Sequence, residues 1–262
     1  MSLILRPPWT RQPQVAVGPS RGYARDLLFL MSGAVGPINL AQSQFGAITS
    51  TGTVGRVSGP RGRELSFASS YLDIGAVQTG IPGRGFAIVA IVNVKTAGNY
   101  PMIVSGNNGG SDIIELRLFS TSGRPELSSL TPGLSYREAT SGDSIVGIGP
   151  VCLIGNYTNS AISLWQDGRS KASVSVVGGG DFVWGTHSWR VGDRAVSGGL
   201  PLDGSLSLVA IIRRGLSDVE AASLSANPWQ LFAPLPRRIW APSAAVGGSV
   251  ATAAGVATAQ AT

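Results

Sequence analysis

The sequence of 262 residues holds one cysteine and one histidine, and only 13% of it is charged. Each shortage excludes something. Cys152 lies in the apolar run Val151-Cys152-Leu153-Ile154 and cannot close an internal disulfide. With nothing nearby to polarise its thiol, it reads as a small buried hydrophobe on a strand. A lone His187 cannot make a zinc site of the usual His/Cys kind. No apolar run outlasts residues 86–92, far short of the roughly 20 residues that a membrane helix needs, so no membrane insertion is expected. The opening Met-Ser-Leu-Ile-Leu-Arg-Pro-Pro has no basic stretch leading into a long apolar core. A secretory leader is therefore not expected, and synthesis in a cytoplasm is.

Lysine is nearly absent as well: Lys95 and Lys171 are the only two among 20 basic residues, and the net charge is +6. The arginines are spread along the chain. Arg6, Arg11, Arg21 and Arg25 precede the first acid, Asp26, and two pairs follow at Arg213-Arg214 and Arg237-Arg238. A stripe that released counterions from phosphate would be clustered. The pattern instead reads as assembly contacts or solvated surface, and nucleic acid is not an expected partner.

What the chain has in quantity is apolar residues, at 43%, with 36 glycines and 16 prolines. Many short strands joined by glycine-rich turns fit that balance, in one large all-β antiparallel sandwich. Strand signals fall at residues 27–30, 45–57, 63–67, 71–74, 101–105, 113–119, 144–149, 151–156, 161–166, 172–177, 189–192 and 206–212. Residues 86–94 read as a central strand buried on both faces. Asp167-Gly168 between two such runs predicts a tight hairpin, and Asn107-Asn108-Gly109-Gly110 a looser turn. One helix is expected: Ser217-Asp218-Val219-Glu220 matches a capping box, and Asn227-Pro228 should stop the helix. Trp229, Leu231 and Phe232 would then clamp it onto the sandwich.

The ends differ from this middle. Residues 1–22, with Pro7, Pro8, Pro13, Pro19 and an isolated Trp9, suit an extended docking arm. The sandwich is expected over 23–235. Residues 236–262 form an extension that begins with Arg237, Arg238 and Trp240 and collapses after Pro242 to Ala, Gly, Val, Thr and Ser. This tail suits a flexible segment or a strand added to a neighbour. Trp9, Arg6, Arg11, Arg237, Arg238 and Trp240 are the candidate assembly contacts.

Five motifs in order carry a family resemblance. Gly62-Arg63-Glu64-Leu65-Ser66-Phe67 precedes Tyr71-Leu72-Asp73-Ile74; the strand at 86–94 follows, then Leu164-Trp165-Gln166-Asp167-Gly168. Last comes an apolar strand at 204–212 that leads into Leu216-Ser217-Asp218-Val219-Glu220. Over residues 23–232 the chain resembles the LamG-like, concanavalin A-like jelly-roll superfamily. Ala226-Asn227-Pro228-Trp229-Gln230-Leu231-Phe232, and the opening Arg6-Pro7-Pro8-Trp9-Thr10-Arg11, look like parts of such domains in structural proteins of tailed bacteriophages or prophages. The resemblance implies a two-sheet jelly roll in a virion, as a tail-fibre-like appendage or a head or neck decoration. Its implied partners are other virion proteins, met through the arm and tail, and further copies of itself, a trimer being favoured. The alternative it leaves open is an adhesin that recognises host surface polysaccharide.

Catalysis is not expected. Glycan-cleaving enzymes of this fold set two carboxylates on one strand face in a Glu-x-Asp-x-(x)-Glu pattern. The nearest pair here, Asp112 and Glu115, falls on opposite faces. No cofactor is expected, with calcium, the commonest metal of the family it resembles, kept as the alternative. Calcium would need oxygens from Asn107, Asn108, Asp112, Asp181 and Asp193, which no single loop gathers. Gly178-Gly179-Gly180 precedes no helix and reads as a turn. For glycan, the candidate loops hold Asn107, Asn108, Asp181, Trp184 and His187, with Trp184 and Trp189 as a stacking platform. Trp165, Trp184 and Trp189 serve equally well as core.

Overall fold

The computed structural model describes residues 23, 25–34, 36, 40–41, 48–59, 62–78, 85–108, 113–130, 136–158, 160–176, 186–195 and 198–232. The strands in chain order begin with β1 (Leu27–Ser32), β2 (Thr49–Thr51), β3 (Gly55–Gly59), β4 (Gly62–Phe67), β5 (Tyr71–Gln78), β6 (Phe86–Thr96), β7 (Met102–Asn107) and β8 (Ile113–Phe119). They continue with β9 (Arg124–Leu130), β10 (Arg137–Thr140), β11 (Val151–Tyr157), β12 (Ala161–Gln166), β13 (Arg169–Ser175), β14 (Thr186–Val191) and β15 (Asp203–Ile212), followed by the α-helix α1 (Asp218–Ala226) and a short 3-10 helix (Pro228–Leu231).

Every pairing between these strands is antiparallel, and they form two sheets. The eight-stranded sheet runs β13-β12-β11-β6-β15-β4-β3. On one side of β15, β4 takes Gly204 to Leu206 and β1 takes Leu208 to Ile212. The seven-stranded sheet runs β10-β9-β8-β7-β14-β5-β2. The fold is thus a two-sheet antiparallel jelly-roll sandwich of the concanavalin A-like kind.

Alternation decides what lies between the sheets. Ile88, Ala90 and Val92 of β6, Leu153 of β11 and Val209 and Ile211 of β15 meet Leu72, Ile74, Ile114, Leu116, Leu118 and Trp189 from the other sheet. Gly106 has no side chain because the Trp189 indole lies on it: a Cβ there would come within 2.9 Å of the ring.

The opposite face of the larger sheet has its own apolar layer. Ala87, Val89 and Ile91, with Cys152, Ile154, Leu208 and Ala210, pack under Ala221, Leu224, Leu231 and Phe232. Hence β6 is buried on both faces, and Trp229 and Phe232 clamp α1 as expected. Trp165 also belongs to this layer. Ser217 and Glu220 form the capping box, and Asn227 ends the helix. The Asp167-Gly168 hairpin joins β12 to β13 with both residues at positive φ, 49° and 85°. Its Gly168 N–H donates to Ser225 Oγ on α1 at 2.8 Å.

Two expectations fail. Residues 144–149 form no strand, only an isolated bridge from Val146 to Val94. In contrast, β9 and β10 are strands where none was expected. The arm at 1–22 and the extension at 236–262 lie outside the described residues.

Candidate functional site

The seven-stranded sheet presents charge where the other sheet presents a helix. Because Ile114, Leu116 and Leu118 point into the core, Glu115 and Arg117 of β8 point away from it. Register places Glu115 opposite Ser128 and Arg117 opposite Glu126 on β9. On β10, Glu138 pairs with Ser128 and Thr140 with Glu126. On the other side, Ser105 of β7 sits opposite Glu115 and Arg190 of β14, and Arg190 opposite Asp73 of β5. A polar belt therefore crosses the sheet from β5 to β10.

Arg117 is its centre. Nε donates to Glu126 Oε1 at 2.8 Å and Nη1 to Glu115 Oε2 at 2.9 Å. Nη2 reaches Tyr136 Oη at 2.6 Å and Glu138 Oε1 at 2.9 Å. Tyr100 and Tyr136 flank the guanidinium, 4.9 and 5.8 Å from their ring centroids. Tyr100 stands at φ 53° directly before Pro101. A non-glycine residue in that region is strained, and here the strain sets its ring on Arg117. Burial works against the Arg117 charge, but Tyr136, Glu126 and Glu115 outweigh it and raise its pKa above the ordinary value. Burial also raises the Tyr136 phenol, with Glu138 and Glu115 adding to the effect.

The buried carboxylates have both oxygens engaged. Glu115 Oε1 accepts from Arg194 Nε at 3.0 Å, and Glu126 Oε2 from Thr140 Oγ1 at 2.6 Å. Glu115 and Glu126 are 0% exposed, whereas the Glu138 side chain is 36% exposed and Tyr136 is 40% exposed. Asp193 accepts from the N–H groups of Arg194, Leu200 and Gly199, which folds the loop after β14 back across the sheet. Ser105 Oγ fixes that loop by accepting from Ala195 N–H at 3.2 Å. Arg190 lies on the Tyr71 ring, 4.4 Å from its centroid, and donates to Arg194 O at 2.9 Å.

The expected carboxylate pattern needs a correction. Three glutamates do gather on one face, but across strands and not along one, and each accepts a hydrogen bond from Arg117. Pairing of β8, β9 and β10 brings them together. Asp112 lies outside the described residues.

Of the residues singled out for glycan, Asn107 sits on the belt face of β7, opposite Ser188, and is buried; Asn108 is exposed. His187 corrects the expectation of a loop contact. It shares the core-facing side of β14 with Trp189, 6.2 Å between ring centroids, and is 0% exposed. Asp181 and Trp184 lie outside the described residues, as do Trp9, Arg6, Arg11, Arg237, Arg238 and Trp240. Among the described residues no group of three or more His, Cys, Asp or Glu side chains is placed to hold a metal ion. The pair Arg213-Arg214, expected on an assembly or solvated surface, makes ion pairs within the chain. Arg214 bridges Asp26 at 3.2 Å and Glu220 at 2.7 Å, and Arg213 donates to Arg25 O at 2.9 Å.

Comparison with known proteins places the fold. No protein-family model and no curated protein matches the chain. Among solved structures it is similar to domain 4 of AbnA, a GH43 extracellular arabinanase from Geobacillus stearothermophilus, solved in complex with arabinotriose. The TM-score is 0.64 at 16% identity, over 76% of this chain and 98% of that one. The binding domain of Paraclostridial Mosquitocidal Protein 1 follows at TM-score 0.60 and 12% identity, over 77% of this chain and 52% of that one. A Trypanosoma rangeli sialidase, in complex with 2,3-difluorosialic acid, matches at TM-score 0.54 and 13% identity, over 86% of this chain and 37% of that one. At such identities the likeness defines a jelly-roll class that includes domains of glycan-acting proteins, and it carries the fold alone.

Proposed function

We propose that the chain is a non-catalytic carbohydrate-binding module that takes glycan on the outward face of its seven-stranded sheet. The observation that carries this is the half-exposed pair Tyr136 and Glu138, mounted on a saturated ion network. A pyranose offers an apolar C–H face and a rim of hydroxyls, which suit an aromatic ring beside a carboxylate. Arg117 fixes both groups before any ligand arrives, which lowers the ordering cost of binding. The solved arabinanase domain, with arabinotriose bound, lends the fold-level support.

A glycan hydrolase is disfavoured by the same network. Glu115 and Glu126 are fully buried and each is tied to an arginine, so neither carboxylate faces a leaving group or a water.

Isothermal titration of the full chain against a neutral and acidic oligosaccharide panel tests the proposal. Tyr136→Ala should weaken the best ligand roughly tenfold, about 1.4 kcal/mol, in a chain that still unfolds cooperatively. Unaltered affinity would remove this face from binding.

A second reading rests on the resemblance at Ala226-Asn227-Pro228-Trp229-Gln230-Leu231-Phe232 to phage LamG-like domains. In it the module is carried on a virion, held by the N-terminal arm and the tail as part of a homo-oligomer, and meets host polysaccharide. Deleting residues 1–22 should then abolish incorporation into particles while glycan binding persists. Normal incorporation of the truncated chain would contradict the anchoring role.

A further inference from the structure

The belt is polar in its sequence of charges as well as in its chemistry. Asp73 on β5 pairs with Arg190 at 3.6 Å, Arg194 follows over Glu115, Arg117 comes next, and Glu126 and Glu138 lie at the β9–β10 end. Neighbouring strands are about 4.8 Å apart, so two strand spacings, about 10 Å, separate Glu138 from the Glu115 that anchors Arg194.

The arginines are not equivalent. Arg117 is enclosed by three carboxylates and two tyrosines. Arg190 is stacked on Tyr71, donates to a backbone carbonyl and pairs with Asp73 at 3.6 Å. Among the described residues Arg194 is held only at Nε, by the fully buried Glu115, and its side chain is 31% exposed. Among the described residues its Nη1 and Nη2 make no hydrogen bond. Those two nitrogens form the end-on fork of the guanidinium, the edge that pairs bidentately with a carboxylate. The loop that carries Arg194 is tied down through Asp193 and through Ser105, so the fork is presented on a fixed mount.

Resting on the carbohydrate-binding reading, we propose that Arg194 is a specificity-determining residue that receives the carboxylate of an acidic sugar, while the rest of the glycan runs toward Tyr136 and Glu138. The acidic end of the belt sets a limit on the ligand. A single carboxylate is accommodated at Arg194, whereas a densely charged polyanion would bring charge against Glu138. Uronic acids and sialic acids share the recognised group.

The test titrates the full chain with two probes, sialyllactose and glucuronic-acid-substituted xylotriose, each beside its methyl ester. The ester keeps the ring and removes the charge. Tenfold or greater preference for the free acid of either probe supports the proposal, and the probe that shows it identifies the source of the carboxylate. Arg194→Lys keeps a cation beside Glu115 but loses the fork, and should cut the preference to threefold or less; Arg194→Gln should abolish it. Equal binding of acid and ester by the unmodified chain overturns the role of Arg194 and leaves the carbohydrate-binding reading standing. Binding of no oligosaccharide in the neutral or acidic panel overturns both. Retention of the full preference in a folded Arg194→Gln chain overturns the assignment to this residue.

Discussion

Arg117 shows how one side chain can organise a face. Its guanidinium joins Glu115, Glu126 and Glu138, two of which have no contact with solvent. Buried charges are tolerated because each finds its counterpart, and removing the counterpart leaves a cost with nothing to offset it. Arg117→Met should therefore lower stability by about 3–5 kcal/mol, read from urea unfolding. Arg117→Lys should recover only part of this, because an ammonium cannot serve Glu115 and Glu126 in the same planar fork. A loss under about 1 kcal/mol, the scale of a surface ion pair, would mean that the network is more hydrated than its geometry indicates.

At the scale of elements, α1 is held at its start by chemistry that titrates. Arg214 bonds Glu220 and draws its carboxyl well below the ordinary range, to about 2, with the Ser217 N–H contributing in the same direction. The folded value lies below the unfolded value near 4.5, so this contribution is complete above 4.5 and fades as pH falls toward 2. Glu220→Gln should flatten the acid limb of the stability curve in that window. Stability measured by urea at successive pH values checks it, and an unchanged acid limb would contradict the assignment. Because the pair is partly solvated, the change should be modest, about 1 kcal/mol or less.

The elements also explain what could be read in advance. The helix, its cap and its stop were legible because Ser217, Glu220 and Asn227-Pro228 are local signals, and so was the Asp167-Gly168 hairpin. The central strand β6 was legible because both of its faces are apolar. Strands β9 and β10 were not, for a physical reason. Arg124-Pro125-Glu126-Leu127-Ser128-Ser129-Leu130 carries a proline and buries serine and glutamate where a half-exposed strand would show apolar alternation. The site is made of those polar positions, so missing the strands meant missing the site. Glu115, Glu126 and Glu138 lie on three consecutive strands and meet only through their register. His187 misled in the opposite sense: a lone polar residue between loop and strand looks available, yet its parity with Trp189 turns it into the interior.

For the whole molecule, the two sheets divide their labour by what covers them. The eight-stranded sheet spends its outer face on α1 and the Trp229–Phe232 clamp, which completes a second apolar layer. The seven-stranded sheet has no helix on its outer face among the described residues and carries the belt there instead. A ligand surface is expected on the sheet whose outer face is polar, preorganised and partly open. Amide chemical-shift mapping of the isotope-labelled full chain, titrated with its best-binding oligosaccharide, tests this most directly. The account predicts that perturbations concentrate at Tyr136, Glu138, Arg194 and their neighbours on β8, β10 and β14. Shifts confined to the α1 side of the molecule, with the belt unmoved at saturation, would contradict it.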